Sequence, residues 1–222
     1  PATCTPSSRP DRLPRQRWSV WEVGATVSVM RADELFLASD AALRSVIDRI
    51  DVADLDRPAP SEWTSTPDPT YRDILFAHAY DEAWIPGVLA GRSIAEGDEF
   101  READLFGGDP VAAYDALNDT AGEAVRAGVA DDAVFRFQYG DYPAAEGFAH
   151  LATYRAFQAW LIAKKLGIDF HLSPELLAGL NEHVVVHADE WRQWGVFPPA
   201  IDPPADADEE TRVLCAVGYW IP

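Results

Sequence analysis

The sequence from Thr70 to Ser93 predicts one amphipathic helix that carries ionisable side chains on an otherwise apolar face. His78, Asp81 and Glu82 lie one turn apart in it, because residues three and four apart share a helix face. Such a cluster on a core-facing stripe must be paired, must bind a ligand, or must lie at the mouth of a pocket. This segment therefore constrains both the core and the search for a functional site.

The composition excludes several classes of partner. The 222-residue chain has a formal net charge of −19, which argues against nucleic acid and anionic membranes, since their phosphates would be repelled. No apolar run approaches the roughly 20 residues of a membrane helix, and the arginine-rich start lacks the apolar region of a signal peptide. We expect a cytoplasmic monomer or homodimer that takes a small-molecule substrate.

Residues 1–29 differ from the rest of the chain, because they hold four arginines and four prolines against two acidic residues. They form either an extension that wraps around the domain or a segment before a natural start at Met30. Residues 30–222 are expected to form one domain. Cys4 and Cys215 are too few for a disulfide framework, and we interpret both as reduced and structural.

Apolar periodicity, capping residues and prolines predict five helices. They cover approximately residues 33–50, 70–90, 109–127, 143–166 and 173–194, with Pro86 bending or ending the second. The alternating segment 133–139 predicts a short strand in a hairpin or flap. The proline- and acid-rich segment 198–210 predicts an extended strap over the surface. The fold class is therefore all-α.

Four stretches carry a family resemblance: Arg72-Asp73, residues 84–96, residues 107–114 and residues 203–208. With them the chain resembles the DinB/YfiT-like superfamily, in the branch of the mycothiol-dependent maleylpyruvate isomerases, over about residues 33–215. The resemblance implies an antiparallel four-helix bundle with an extra C-terminal helix. It also implies a divalent metal, held by a histidine on helix two and by two residues four apart on a later helix.

The metal ligands of that family are degenerate in this sequence. His78 lies at or within one residue of the helix-two position, but the later pair corresponds to Tyr154 and Gln158. Neither side chain is a good ligand for zinc or nickel. We therefore expect no tightly bound divalent metal at this position.

The fourth predicted helix carries a polar stripe instead, with His150, Tyr154 and Gln158 at four-residue spacing. If this stripe faces His78 and Glu82, the former metal site has become a hydrogen-bonding pocket. The alternatives are a satisfied buried network and a stripe that faces solvent. We predict His78, Glu82 and Tyr154 as catalytic residues; the predicted substrate-binding residues are Asp81, Trp84, His150, Arg155 and Gln158. For Trp84, core packing is the competing interpretation.

A second histidine pair, His183 and His187, has the i, i+4 spacing that can share a zinc ion, with Glu190 three residues further on. The valines between the two histidines favour burial beside the core instead.

The leading hypothesis is a small-molecule enzyme. In the first version, which the resemblance implies, it catalyses a mycothiol-dependent thiol transfer or isomerisation. In the second version, it catalyses a metal-free rearrangement in secondary metabolism. In the second version His78 is the general acid or base, oriented by Glu82 or Asp81, while Tyr154 and Gln158 hold an oxyanion. The excess of arginine over lysine, sixteen to two, is typical of GC-rich genomes such as those of actinobacteria. The alternative is a non-catalytic protein that kept the cavity and lost the chemistry.

Overall fold

The computed structural model describes residues 30–64, 66–93, 99–101, 103–130 and 132–221. Across them the chain is mostly helical, with one small antiparallel sheet of two strands. The predicted extension over residues 1–29, with Cys4, lies outside the described residues. Cys215 is buried as a free thiol.

In the described residues, four long helices precede three shorter ones, and the hairpin lies between the third and the fourth long helix. The elements are α1 (Ala32–Ile47), α2 (Tyr71–Leu89), α3 (Pro110–Arg126), β1 (Val134–Phe137), β2 (Gly140–Pro143), α4 (Ala144–Leu166), α5 (Pro174–His183), α6 (Ala188–Gln193) and α7 (Glu209–Val217). Single 3₁₀ turns occur at Val52–Asp54, Ser61–Trp63 and Val185–His187. Within the described residues, no helix is both long and apolar enough to cross a membrane.

The ends of the long helices follow the capping residues. Thr70 and Asp73 cap α2 reciprocally, since each side chain accepts a hydrogen bond from the backbone N–H of the other. Asp109 caps α3, and Gly167 ends α4 in the left-handed region with φ of 72°. Pro86 does not end α2, which continues to Leu89.

The core brings α1 against α4 and α2 against α3. One apolar cluster joins α4 to α5, α6 and α7, a second lies among α1 to α4, and a third lies beneath the hairpin. In the third cluster, fully buried Phe135 of β1 packs against Phe148 of α4, with ring centroids 4.9 Å apart. The hairpin is thereby held close to α4.

The predicted strand lies in an antiparallel hairpin. Residues Val134 to Phe137 pair with Pro143 to Gly140 in reverse order. The alternation of the segment reflects Phe135, which points into the core between exposed neighbours.

The fifth predicted helix does not run unbroken to Trp194, and this prediction was wrong. It breaks at Val184, whose φ of −124° and ψ of −55° leave the helical region. Three successive β-branched valines favour a helix weakly, and the break lets fully buried Val184 and Trp191 of α6 enter the same apolar cluster.

The predicted strap is irregular only up to Asp208. This residue caps α7 by accepting a hydrogen bond from the backbone N–H of Thr211. Helix α7 was not predicted, although its buried Val213, Leu214 and Val217 follow helical spacing.

Candidate functional site

His78 of α2 and Tyr154 of α4 lie against each other. Their ring centroids are 4.4 Å apart and their planes differ by 25°, which is a stacked arrangement. The His78 side chain is fully buried, whereas Tyr154 is partly exposed. The structure thus brings together the two positions that the helical spacing and the resemblance had related.

His78 itself is enclosed by the protein. Neither of its ring nitrogens has a hydrogen-bond partner among the described residues. Burial holds the pKa of His78 well below its ordinary value, and the positive charge of Arg155 lowers that pKa further. His78 borders none of the cavities described below. It is a neutral ring behind Tyr154 rather than a group in contact with open space.

Arg155 lies at the centre of a buried network that joins three helices. Its Nε donates to Asp40 of α1 (3.1 Å) and to Glu82 of α2 (3.0 Å), and its Nη2 donates to the same Glu82 oxygen (2.7 Å). The guanidinium also lies over the ring of Phe36, 4.8 Å from the centroid. Arg155 is fully buried and borders none of the cavities described here, so the structure places this predicted substrate-binding residue inside the core.

Glu82 belongs to this network rather than to His78. Burial raises the pKa of Glu82 to about 8, a rise that the charge of Arg155 opposes and that of Asp40 adds to. Two carboxyl groups thus face one guanidinium, and the charge of Arg155 offsets only part of the effect of burial on Glu82. The sequence analysis missed Asp40, although it lies on the apolar face of α1 between Phe36 and Leu43 and could have been noticed there.

The first cavity, of about 600 Å³, lies between α2, α4 and the hairpin. Asp81, one residue before Glu82, points into it, and its carboxylate has no hydrogen bond or ion pair with a described residue. Burial raises the pKa of Asp81 to about 6, against the opposing effect of Arg155. Aromatic side chains form much of the wall: Phe76, Tyr80, Trp84, Phe137, Tyr139 and Tyr154.

Tyr154 and Trp84 are two of the potential hydrogen-bond donors that border the first cavity. Burial, reinforced by the negative charge of Asp81, raises the pKa of Tyr154 well above its ordinary value, so its phenol stays protonated. The indole nitrogen of Trp84 is buried and has no partner among the described residues. The cavity therefore combines one carboxylate base with donors that suit a carbonyl or oxyanion.

His150 borders the first cavity and two others. The second cavity, of about 700 Å³, extends along α4 from His150 past Tyr154 and Gln158 to the C-terminal segment. The third, of about 530 Å³, lies between the hairpin and α6. The predicted stripe of His150, Tyr154 and Gln158 thus lines open space along its whole length.

The residues present do not fit the metal that the resemblance implies. Of its three positions, His78 is the sole good ligand, because Tyr154 is protonated and Gln158 binds weakly. Among the described residues, no group of three or more histidine, cysteine, aspartate or glutamate side chains is arranged to hold a metal ion.

The second histidine pair is also divided between separate roles. His183 Nε2 lies 2.6 Å from the carbonyl oxygen of Met30, and the His187 ring stacks on Trp191 with centroids 5.7 Å apart. The break at Val184 removes the single helix face that their spacing predicted.

The chain matches no protein-family model, and comparison with curated proteins and with solved structures found no match to either.

Proposed function

We propose that this protein is an enzyme that moves a proton on a small aromatic or unsaturated carbonyl compound in the first cavity. The observation that carries the proposal is the carboxylate of Asp81, which has no ion pair with a described residue, faces an aromatic cavity and has a pKa raised to about 6. At neutral pH it is ionised and yet more basic than an ordinary aspartate. A base with these properties suits general acid–base catalysis.

The proposed reaction uses the groups that border the cavity. Asp81 takes a proton from a carbon next to the substrate carbonyl, and the electron pair of the broken C–H bond moves towards the carbonyl oxygen. The Tyr154 hydroxyl donates a hydrogen bond to that oxyanion. Return of the proton from Asp81 to another carbon of the same conjugated system gives an isomer, so no oxidant or second substrate is needed.

In this proposal His78 supports the site rather than reacting. It stacks against Tyr154 and thereby fixes the plane of that ring. The Arg155 network holds α1, α2 and α4 together behind it.

We further infer that α1 to α4 form an antiparallel bundle of the DinB/YfiT-like kind. The pairing of α1 with α4 and of α2 with α3 supports this assignment, as does the approach of His78 to Tyr154. The proposed chemistry is isomerisation, as in the resembling branch, but it does not depend on a metal or on mycothiol.

The proposal can be tested by hydrogen–deuterium exchange. The protein is incubated in D₂O with aryl ketones that carry a C–H bond next to the carbonyl, and exchange at that carbon is followed by NMR above the uncatalysed rate. Asp81→Asn should lower the exchange rate by about 10²–10⁴-fold, and Tyr154→Phe by about 10²–10³-fold. Asp141→Asn, on the exposed hairpin, is the matched control and should leave the rate unchanged.

Two outcomes would reject the proposal. Equal exchange by the wild type and Asp81→Asn would remove Asp81 as the base. Probes that bind in the first cavity without any exchange would favour the non-catalytic binding protein.

A further inference from the structure

The second cavity has no part in the proton transfer, yet it borders the same two side chains of α4 as the first. We propose that the substrate is an elongated molecule with an uncharged ring at each end. One ring lies in the first cavity, the other lies in the second, and the carbonyl-bearing linker crosses His150 and Tyr154. This inference rests on the proposed function and names the substrate class of the same site.

The shared walls indicate one continuous site. His150 and Tyr154, one turn apart on α4, border both cavities. The third cavity shares His150 and Tyr139 with the first and Thr153 with the second. Ligand sites commonly occupy about 300–1,000 Å³, so each of the first two cavities is large enough for a ring with its substituents. A one-ring substrate would leave one of them without a ligand.

The second cavity has the lining that a ring requires. Its walls include five aromatic side chains besides Tyr154: Trp63, Phe157, Phe197, Tyr219 and Trp220. Aromatic walls favour flat rings through offset or edge-to-face packing. Three of these side chains belong to the segment after α6, which thereby completes the site.

A buried polar side chain also borders the second cavity. Gln158 is 4 % exposed and borders the cavity one turn beyond Tyr154, and its Nε2 has no hydrogen-bond partner among the described residues. An amide offers both a donor and an acceptor. A hydroxyl or carbonyl on the second ring, close to the linker, would match it.

The charged residues that border the second cavity favour an uncharged second ring. They are Lys165 and Glu62, and both are exposed. One charge of each sign gives no net preference for an anion or a cation. The second cavity would therefore select its ring by shape and by contact with the aromatic walls.

The inference is tested by comparing two ketones that share one reacting end. Acetophenone has one ring, whereas 1,3-diphenylpropan-1-one adds a second ring on a short linker. Isothermal titration calorimetry should show the two-ring ketone binding at least tenfold more tightly. Ile221→Trp, which narrows the second cavity, should reduce that ratio to less than twofold.

Two further variants keep the result interpretable. Ala77→Trp, which narrows the first cavity, should weaken the binding of both ketones. Val52→Trp adds the same side chain at an exposed position that borders neither cavity, and it should change neither affinity. Unfolding curves show whether each variant is folded before its affinity is measured.

The outcomes separate this inference from the proposed function. In one outcome, Ala77→Trp weakens the binding of both ketones, but Ile221→Trp leaves the ratio of their affinities unchanged. This result would overturn the two-ring inference alone. If Ala77→Trp also leaves both affinities unchanged, the ketones do not bind in the first cavity. This result would overturn the proposed function as well.

Discussion

Asp81 and Glu82 are neighbours in the sequence, yet they meet different surroundings. Consecutive helix residues point about 100° apart, so Asp81 faces the first cavity while Glu82 faces Arg155 in the core. The spacing predicted that both lie near His78, and it gave the catalytic role to Glu82. Periodicity could not separate them, because the charged partners Asp40 and Arg155 come from other helices.

Asp81 should make the folded protein less stable at neutral pH. Its raised pKa means that folding binds a proton, so its contribution to stability is full below pH 3.8 and is lost as pH rises through about 6. Asp81→Asn removes the buried charge. It should raise the melting temperature by a few degrees at pH 7.5, and the gain should shrink to roughly a third at pH 4.5.

Calorimetry of both proteins at the two pH values measures this difference, with Asp141→Asn as an exposed control. A gain that is equal at both pH values would show that Asp81 is not the titrating group.

Replacement of His78 shows whether this residue is a packing partner of Tyr154 or a general base. His78→Phe keeps a ring against Tyr154 and removes two buried nitrogens that have no partner in the described part of the chain, each of which costs about 1–3 kcal/mol in such a position. We expect the free energy of unfolding to stay equal or rise, as measured by urea denaturation. His78→Gln, which loses the stack, should be less stable.

The same variants test the role that the sequence predicted for His78. If His78 were the general base, His78→Phe would lose proton exchange by about 10²–10⁴-fold. Exchange within tenfold of wild type would instead support its role as a packing partner of Tyr154.

Helix α4 contributes to every part of the candidate site, and the sequence predicted it well. Its start at Pro143, its terminal glycine and the stripe from His150 to Gln158 can all be read from the local sequence. The contact of the first turn of α4 with the hairpin cannot be predicted from local spacing. A Cβ atom at Gly147 would lie 2.3 Å from the ring of Phe135, a constraint that appears only once two elements are packed together.

Two helical glycines should therefore respond in opposite ways to alanine. Gly147→Ala forces fully buried Phe135 to move and should lower the free energy of unfolding by about 1–3 kcal/mol. Gly87→Ala in α2 meets its nearest atom, in Trp84, at an ordinary 3.5 Å. It should gain about 0.5–1 kcal/mol from better helix propensity.

Chemical denaturation of the two variants gives both values. A loss of stability in both would mean that the space around Gly87 is tighter than the structure indicates.

At the scale of the whole molecule, the sequence predicted the long helices and the hairpin. It did not predict the break at Val184 or helix α7. Helix α7 contacts α5 and the 3₁₀ turn Val185–His187, and the break brings Val184 into the apolar cluster that includes α4. The periodicity of a single helix does not show such contacts. Composition was also misleading. The prolines and acidic residues before Asp208 predicted an extended strap, and the apolar face of α7 that follows was not recognised.

The net charge of −19 should make the stability depend on salt. Repulsion among like charges opposes the compact state, and the screening length falls from about 30 Å at 0.01 M to about 10 Å at 0.1 M salt. The melting temperature should therefore rise between 10 and 300 mM NaCl.

A variant with four neutralised surface acids is the matched control: Glu123→Gln, Asp141→Asn, Asp202→Asn and Asp206→Asn, all exposed. Its melting temperature should rise less over the same range of salt. An equal rise in both proteins would attribute the effect to general salting-out.

The Arg155 network also bears on how the chain avoids misfolding. A slip of α4 along its neighbours by one turn would move its side chains by about 5.4 Å. That slip would carry the guanidinium past Asp40 and Glu82 and leave three polar groups buried without partners. The correct alignment of α1, α2 and α4 is thus favoured by charge pairing in addition to apolar packing.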